Sequence, residues 1–260
     1  MGLCPSRFLI FITMKNKLKI WVTAFMLVIA SQVSAHYLWV ETAETGKIGK
    51  SHQVQVFFGE YTYGVIEDPN GENFENVKNF QLWVVAPSGK KTAIETTAGK
   101  ESFVGTFTPT ENGTYTVVLN NNEIDVIDYT QYDFGIFKTH YHSTAKVVVG
   151  KEVESTESTN ADGLVVINSS ASTGTKNGEV ILNVLYKGKP VEGQEVAVYI
   201  SDLWSKKLYT DADGKVSFTL PWETRYTVET TKKEEVPGTY KGDDYEFIWH
   251  CATYGLSLSK

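Results

Sequence analysis

Five histidines are the side chains of this 260-residue chain whose chemistry is most specific. Imidazole nitrogens are common protein ligands for zinc, copper and nickel. The sequence contains no Gly-x-Ser-x-Gly, no Walker phosphate loop and no dinucleotide fingerprint, so the common hydrolase and nucleotide-binding classes have no motif here. Metal binding is therefore the first chemistry to consider at these residues: His36, His52, His140, His142 and His250.

Residues 1–35 have the three parts of a secretion signal, with Met14 as the favoured start. Three lysines make its positive region: Lys15, Lys17 and Lys19. Residues 20–30 form an apolar run that is too short for a comfortable membrane span, and Val33-Ser34-Ala35 is a small-residue cleavage site. We therefore expect a periplasmic or secreted protein that is cut after Ala35 and has no membrane span in its mature chain.

Cleavage after Ala35 makes His36 the first residue of the mature protein. The α-amine and the imidazole Nδ1 of a terminal histidine can close a chelate ring on one ion, and the amine needs only deprotonation from a pKa of about 7.7–8.0. Such nitrogen ligation suits Cu(II), Ni(II) or Zn(II), with copper favoured by the general affinity order. The alternative is that any residue can follow a signal peptide, in which case His36 has no metal role.

His140 and His142 form a His-x-His pair within Lys138–Val149. On a β-strand, residues two apart point to the same face, so both imidazoles can reach one ion. An ordinary polar face of an aromatic-rich strand explains the pair equally well.

His250 lies inside an apolar stretch, Phe247–Leu256. Alternation places His250 on one face with apolar neighbours and Cys251 on the other face. A histidine in that setting is either a satisfied core group or a buried ligand, whereas Cys251 is expected to be a small buried hydrophobe. His52 opens another strand and is expected to be exposed.

Period-two alternation dominates the mature chain, and no helical pattern of useful length interrupts it. Short strands separated by turn signals predict an all-β fold with two immunoglobulin-like β-sandwich domains in tandem. The expected domains are residues 36–150 and residues 177–260. Residues 151–176 between them are rich in Ser, Thr, Glu and Asn, which is typical of a linker, with one apolar island at Leu164–Ile167 that could dock on a domain.

A weak internal sequence repeat supports the prediction of two related sandwiches. "FTPTENGTYTV" (Phe107–Val117) and "FTLPWETRYTV" (Phe218–Val228) share a frame in which a strand ends, a turn follows and a Tyr opens the next strand. Immunoglobulin-like sandwiches use a tyrosine at such a corner to tie down the turn. We therefore expect Tyr115 and Tyr226 to have this role.

The net charge limits the classes of partner that the protein can bind, and the cysteine content limits its disulfides. The chain has a net charge of −7 and every basic residue of the leader is lost on cleavage, so the mature protein is more acidic still. An acidic protein without a basic stripe is a poor candidate for nucleic acid or anionic membranes. Only Cys251 remains after the leader, so no intramolecular disulfide can form.

Four segments together resemble a bacterial exported family of unknown function formerly called NikM-like, after periplasmic components of nickel or cobalt uptake. They are "HYLWVE", "FTPTENGTYTV", "HYHSTAKVVVG" and "HCATYGLSL". The segment "GKPVEGQEVAVYI…TDADGKVSFTLP" also resembles a transthyretin-like or carboxypeptidase-regulatory sandwich module. The resemblance implies metal handling in the cell envelope, with ligands at His36, at His142 or His140, and at His250. The chain lacks permease segments, so the resemblance implies an accessory that serves a membrane permease.

The leading hypothesis is a metal-binding protein without enzymatic activity, in which His36, His140 or His142, and His250 form one site for nickel, cobalt or copper where the two domains meet. One alternative is a copper-dependent oxidative enzyme that uses an N-terminal His and a second His. Another is a non-catalytic adhesion or glycan-binding sandwich protein with incidental histidines, since aromatic residues make up 13% of the chain.

Overall fold

β-strands are the main secondary structure of this alternating sequence. The computed structural model describes residues 36–151, 159–170, 176–200 and 204–258, which belong to one unit. The predicted signal peptide lies outside the described residues. None of the helices in the described ranges has the length and apolar character needed to cross a bilayer.

The strands before residue 151 are β1 (Tyr37–Thr42), β2 (Thr45–Gly46), β3 (His52–Glu60), β4 (Val65–Ile66), β5 (Gln81–Val85), β6 (Lys91–Ala93), β7 (Thr96–Ala98), β8 (Phe103–Phe107), β9 (Gly113–Asn121), β10 (Ile127–Asp128) and β11 (Ile136–Val149). The later strands are β12 (Leu164–Asn168), β13 (Glu179–Tyr186), β14 (Lys189–Pro190), β15 (Glu195–Ile200), β16 (Trp204–Tyr209), β17 (Lys215–Thr219), β18 (Arg225–Glu234), β19 (Gly238–Tyr240), β20 (Asp243–Tyr245) and β21 (Phe247–Ser257). Within the described residues, helical structure consists of α1 (Glu72–Glu75) and two 3₁₀ turns, Tyr61–Tyr63 and Thr130–Tyr132.

One long sheet joins the two halves of the chain. Its order is β16-β15-β18-β21-β11-β9-β5-β6, with β2 and β10 also paired to β11. β11 and β21 pair in parallel, from Phe137 opposite Phe247 to Ala145 opposite Gly255. Parallel strands cannot be joined by a hairpin and need a longer connection. Here that connection contains every strand from β12 to β20.

The two faces of this shared sheet carry different cores. A sheet of β1, β3, β8, β7 and β4 covers one face, where Leu38, Tyr141 and Cys251 belong to the first core. A sheet of β12, β13, β14 and β17 covers the other face, where Ala252 and Tyr254 belong to the second core. Neighbouring residues of β21 therefore enter different cores, as the period of two requires. The predicted all-β class with two sandwiches is confirmed.

The predicted linker, residues 151–176, contains a strand. Its apolar island is β12, which pairs with β13 in antiparallel register, and Leu164 and Val166 are buried in the second core. The island docks on the second sandwich, as its composition allowed. The domain boundaries at residues 150 and 177 stay a prediction.

Strand lengths differ most from expectation along β11 and β18. Alternation in the sequence predicts strands at Lys146–Val149, Tyr226–Glu229 and Glu179–Tyr186. The first is only the end of β11 and the second only part of β18, whereas the third matches β13. β11 is buried along almost its whole length, and buried polar residues such as Lys138, Thr139 and His142 interrupt the apolar alternation in its first half.

Both predicted tyrosine corners are present. The Tyr115 hydroxyl accepts the backbone N–H groups of Thr110 (3.0 Å) and Glu111 (2.9 Å) and donates to the Glu111 carbonyl (3.1 Å). The Tyr226 hydroxyl accepts the Trp222 N–H and donates to the Trp222 carbonyl, both at 2.9 Å. Each phenol therefore ties down the turn that precedes its strand, four residues upstream.

We expect Tyr115→Phe and Tyr226→Phe each to lower the free energy of unfolding by about 1–2 kcal/mol, because each leaves turn backbone groups without their partner. Urea unfolding followed by tryptophan fluorescence measures the loss. Tyr132→Phe, at an exposed phenol, is the matched control. Equal stability of a corner variant and this control would contradict the assigned role.

Candidate functional site

His36 is held at the start of β1 by its Nε2 atom. This nitrogen lies 2.6 Å from Oε1 of Glu67, whose other oxygen accepts a hydrogen bond from the Asn73 side chain at 2.9 Å. The ring packs on Phe58 with centroids 5.4 Å apart, and the His36 carbonyl accepts the Tyr141 hydroxyl at 2.9 Å. With Nε2 engaged, Nδ1 is the remaining ring nitrogen, and the His36 side chain is 31% exposed.

The carboxylate that holds His36 stays ionised at neutral pH. Hydrogen bonds from Asn73 and then from His36 lower the pKa of Glu67, although burial opposes them. Nearby, burial raises the pKa of Glu60, and the charge of His36 opposes that shift. His36 therefore has a fixed negative acceptor on its Nε2 side.

His140 and His250 lie directly opposite each other in the parallel register of β11 and β21. Their ring centroids are 5.1 Å apart and the planes are nearly perpendicular, at 89°. His250 is only 2% exposed, and its Nε2 lies 3.0 Å from Oε2 of Glu234. Glu234 also pairs with Lys187.

The imidazoles of this pair are neutral at physiological pH. Burial, followed by the neighbouring His250, lowers the pKa of His140 to about 4, and burial also lowers the pKa of His250. Burial opposes ionisation of Glu234, but hydrogen bonds from Lys187 and His250 outweigh it and lower the pKa of Glu234 to about 2. A neutral His250 donates Nε2–H to the ionised Glu234, which leaves a lone pair on Nδ1.

His142 is buried on the same face of β11, at 3% exposure. Its Nε2 lies 2.9 Å from the Thr159 hydroxyl, and its buried Nδ1 has no hydrogen-bond partner within the described ranges. Burial lowers the pKa of His142 to about 3, so the ring is neutral.

The sheet separates His36 from the other predicted ligands. β1 crosses the face that carries Tyr141, and its Val40 N–H donates to Ser143 Oγ at 3.0 Å. His140, His142 and His250 alternate with those residues and face β12 instead, where the neighbouring Thr144 hydroxyl donates to the Val166 carbonyl at 3.1 Å. The hypothesis of one site that includes His36 is therefore wrong, because the two sets lie on opposite faces. Within the part of the chain that is described, no three His, Cys, Asp or Glu side chains are grouped to hold an ion.

The exposure expected for His52 is also wrong. This residue is 7% exposed, its Nε2 lies 2.8 Å from Thr42 Oγ1, and its ring packs on Phe107. Burial lowers its pKa. His52 is a satisfied core histidine, because its strand lies inside the smaller sheet with β1 and β8 on either side.

Sequence reasoning missed the carboxylates. Glu67 and Glu234 orient His36 and His250, yet each is one of 31 acidic residues and far along the chain from its histidine. No local sequence pattern distinguishes Glu67 and Glu234 from the other acidic residues. Only the register of β18 with β21, and the course of the chain after β4, place them beside an imidazole.

A third carboxylate, Glu229, binds the region near His36 to the second half of the chain. Tyr61, in the 3₁₀ turn after β3, donates its hydroxyl to Glu229, and Tyr37 hydrogen-bonds the same group. Tyr199 packs on Tyr61 with centroids 5.3 Å apart. Burial raises the pKa of Glu229 although both phenols lower it. This cluster fixes β1 and the Tyr61 turn against β18.

We expect Glu229→Ala to lower the free energy of unfolding by about 1–3 kcal/mol, because Tyr37 and Tyr61 lose their acceptor. Glu229→Gln keeps an acceptor oxygen and should cost less. Urea unfolding of both variants measures the difference.

The pH dependence gives a second check on Glu229. A carboxyl with a raised folded-state pKa contributes stability that is fully present below the unfolded value of about 4.3 and is lost as the pH rises through the folded-state pKa. Glu229→Gln cannot ionise and should lose less stability over that rise. Identical pH profiles for the wild type and Glu229→Gln would contradict a raised pKa.

The family model described as a domain of unknown function, DUF4198, matches residues 33–234. The chain belongs to this family. The match includes His36, His140 and His142 together with Glu67 and Glu234, whereas His250 lies beyond its end. No curated protein matches the chain.

Solved structures resemble the chain only distantly. A DUF4785 family protein from Legionella pneumophila is 10% identical over 74% of this chain and 52% of its own, with a TM-score of 0.27. A bacterial ice-binding adhesin is 9% identical over 87% and 64%, with a TM-score of 0.25. Two fibronectin type-III domains of chicken tenascin are 16% identical over 82% and 95%, with a TM-score of 0.20. The chain thus spans about half of the DUF4785 protein.

Proposed function

We propose that this protein is an exported transition-metal-binding protein that binds Cu(II) or Ni(II) through His36 at its mature N-terminus. The observation that carries the proposal is the 2.6 Å contact between His36 Nε2 and Glu67. It holds the imidazole by the one nitrogen that cannot chelate together with the α-amine. Nδ1 can form a chelate together with the α-amine, and it stays available for the metal.

In this proposal Glu67 is an outer-shell carboxylate, which binds the ligand histidine and not the metal. Histidine ligands commonly donate their other N–H to a carboxylate, which fixes the ring and raises its basicity as a ligand. The low pKa of Glu67 keeps this acceptor charged. Once the leader is removed, the α-amine of His36 and Nδ1 bind one ion as a chelate, and His36 stays fixed by β1 on one side and Phe58 on the other.

The donor set favours divalent ions over Cu(I). All three methionines precede His36, and the cysteine that remains, Cys251, is buried, with a thiol pKa raised by burial well above its usual range. Nitrogen and oxygen ligands suit Cu(II), Ni(II) and Co(II), whereas Cu(I) favours thiolate and thioether ligands. From the resemblance to the NikM-like family, we propose that the protein is an accessory in nickel, cobalt or copper uptake that serves a membrane permease.

The oxidative-enzyme alternative needs a second histidine on the same ion as His36. His140, His142 and His250 lie on the opposite face of the sheet, so the geometry does not favour it. Among the described residues, no specific contact favours the adhesion alternative either. Metal binding without catalysis is the function that we retain.

We expect a mature protein with one extra alanine before His36 to bind Cu(II) and Ni(II) more weakly by more than about tenfold, or 1.4 kcal/mol, because the extended chain loses the α-amine as a ligand. Isothermal titration calorimetry of the native and extended proteins measures this. Equal affinities would rule out the N-terminal chelate.

We also expect Glu67→Gln to weaken Cu(II) binding roughly 10–100-fold, because the carboxylate that orients His36 is lost. Glu72→Gln, at an exposed acidic residue of α1, is the matched control for the change in charge. If both variants bind alike, the effect is one of charge alone and Glu67 does not position His36.

A further inference from the structure

We propose that Glu60 is a third ligand to the ion at His36 and that the resulting site selects Cu(II). This role rests on the proposed N-terminal chelate and adds one residue to it. It depends on the register of β1 with β3, on the hydrogen bond that already engages Glu67, and on the charge of the completed site.

The register of β1 and β3 places Glu60 beside His36. Tyr37 lies opposite Gly59 in this antiparallel pair, so one further step of the same register brings His36 opposite Glu60. Opposed side chains of an antiparallel pair lie on the same face, with Cβ atoms about 4.5–5.5 Å apart. A glutamate carboxylate can extend over that separation to an ion held by its neighbour.

Ring contacts on the two faces agree with this alternation. The His36 ring packs on Phe58, two residues before Glu60, with centroids 5.4 Å apart. On the other face the Tyr37 ring packs on Tyr61, with centroids 5.5 Å apart. Because side chains alternate along a strand, Glu60 shares the face of Phe58 and His36. The two groups also interact electrostatically: burial raises the pKa of Glu60, and the charge of His36 opposes that shift.

Glu67 is on the wrong side of the imidazole to be this ligand. Its backbone N–H donates to the Phe58 carbonyl at 2.9 Å, and its Oε1 lies 2.6 Å from His36 Nε2. Nε2 and Nδ1 point away from each other across the ring, so an ion bound at Nδ1 and the α-amine lies away from Glu67. Glu60, on the rung where the α-amine lies, is the carboxylate beside that ion.

Gly59 brings β4 against the end of β3. Its φ is +148°, and a Cβ at this position would collide with the Val65 carbonyl oxygen. β4 can therefore pair with β3 at Gly59 and Glu60. The backbone of Glu60 is thus fixed between β1 and β4. Its side chain is only partly buried and that of His36 is 31% exposed, so an ion can reach both from solvent.

The completed ligand set suits Cu(II). His36 gives two nitrogens and Glu60 gives one oxygen, which fits the tetragonal geometry of Cu(II) or Ni(II), and the general affinity order places copper above nickel. Glu60 on the ion and Glu67 behind the ring supply two negative charges, which balance a divalent ion. Such a site consists of two side chains and a backbone amine. It does not require the group of three ligand side chains that is absent from the described residues.

The test uses the mature protein with a free His36 and measures Cu(II) affinity by competition titration. Glu60→Gln should weaken Cu(II) binding by at least about tenfold, since even an outer-shell partner contributes that much. Glu72→Gln, at an exposed acidic residue of α1, has the same change of charge and should bind as the native protein does. Melting of each metal-free variant checks folding.

Electron paramagnetic resonance of bound Cu(II) separates a ligand from a nearby charge. Glu60→Gln should keep two nitrogen ligands but alter the copper hyperfine coupling. Glu60→His places an imidazole at the same position, so the nitrogen splitting should change from two nitrogens to three and tight binding should return. An unchanged spectrum in both Glu60 variants would overturn Glu60 as a ligand, and Ni(II) binding tighter than Cu(II) would overturn the selectivity.

The protein with one extra alanine before His36 separates the two levels of the proposal. Equal Cu(II) affinity of the native and extended proteins would overturn the N-terminal chelate and Glu60 with it. A native protein that binds Cu(II) more tightly than the extended one, but is unaffected by Glu60→Gln, would overturn Glu60 alone.

Discussion

The parallel ladder between β11 and β21 is the constraint on which the rest of the molecule depends. It joins two strands that are more than a hundred residues apart into the middle of one sheet, from Phe137 opposite Phe247 onward. Because side chains alternate, each strand sends one set of residues into the first core and the other set into the second. Cys251 and Ala252 are neighbours in sequence but lie in different cores.

This ladder also decides which chemistry is possible. It places His140 directly opposite His250 and directs both away from His36. Burial between two sheets then keeps the imidazoles of the pair neutral, which is the protonation state that binds metal. In both places a carboxylate engages Nε2: Glu67 at His36 and Glu234 at His250. A histidine whose Nε2 contacts a carboxylate is therefore found on both faces of one sheet.

Local patterns predicted much of the fold. The strand Glu179–Tyr186 and both corner tyrosines follow from alternation and turn chemistry, which depend on residues close in sequence. Alternation did not mark the first half of β11, because buried polar residues such as Lys138, Thr139 and His142 interrupt its apolar pattern. His52 was misjudged for a related reason: its polar ring is satisfied by Thr42, a partner from another strand.

The sequence by itself determined the all-β class, the two corners, the candidate histidines and the division of Cys251 from His250. These depend on the period of two and on residue chemistry, which need no knowledge of the partner strands. The tertiary structure alone decided that the histidines form two groups and that Glu67 and Glu234 stand behind them. Strand register and the choice of covering sheet set these distances, and both depend on contacts between residues far apart in the chain.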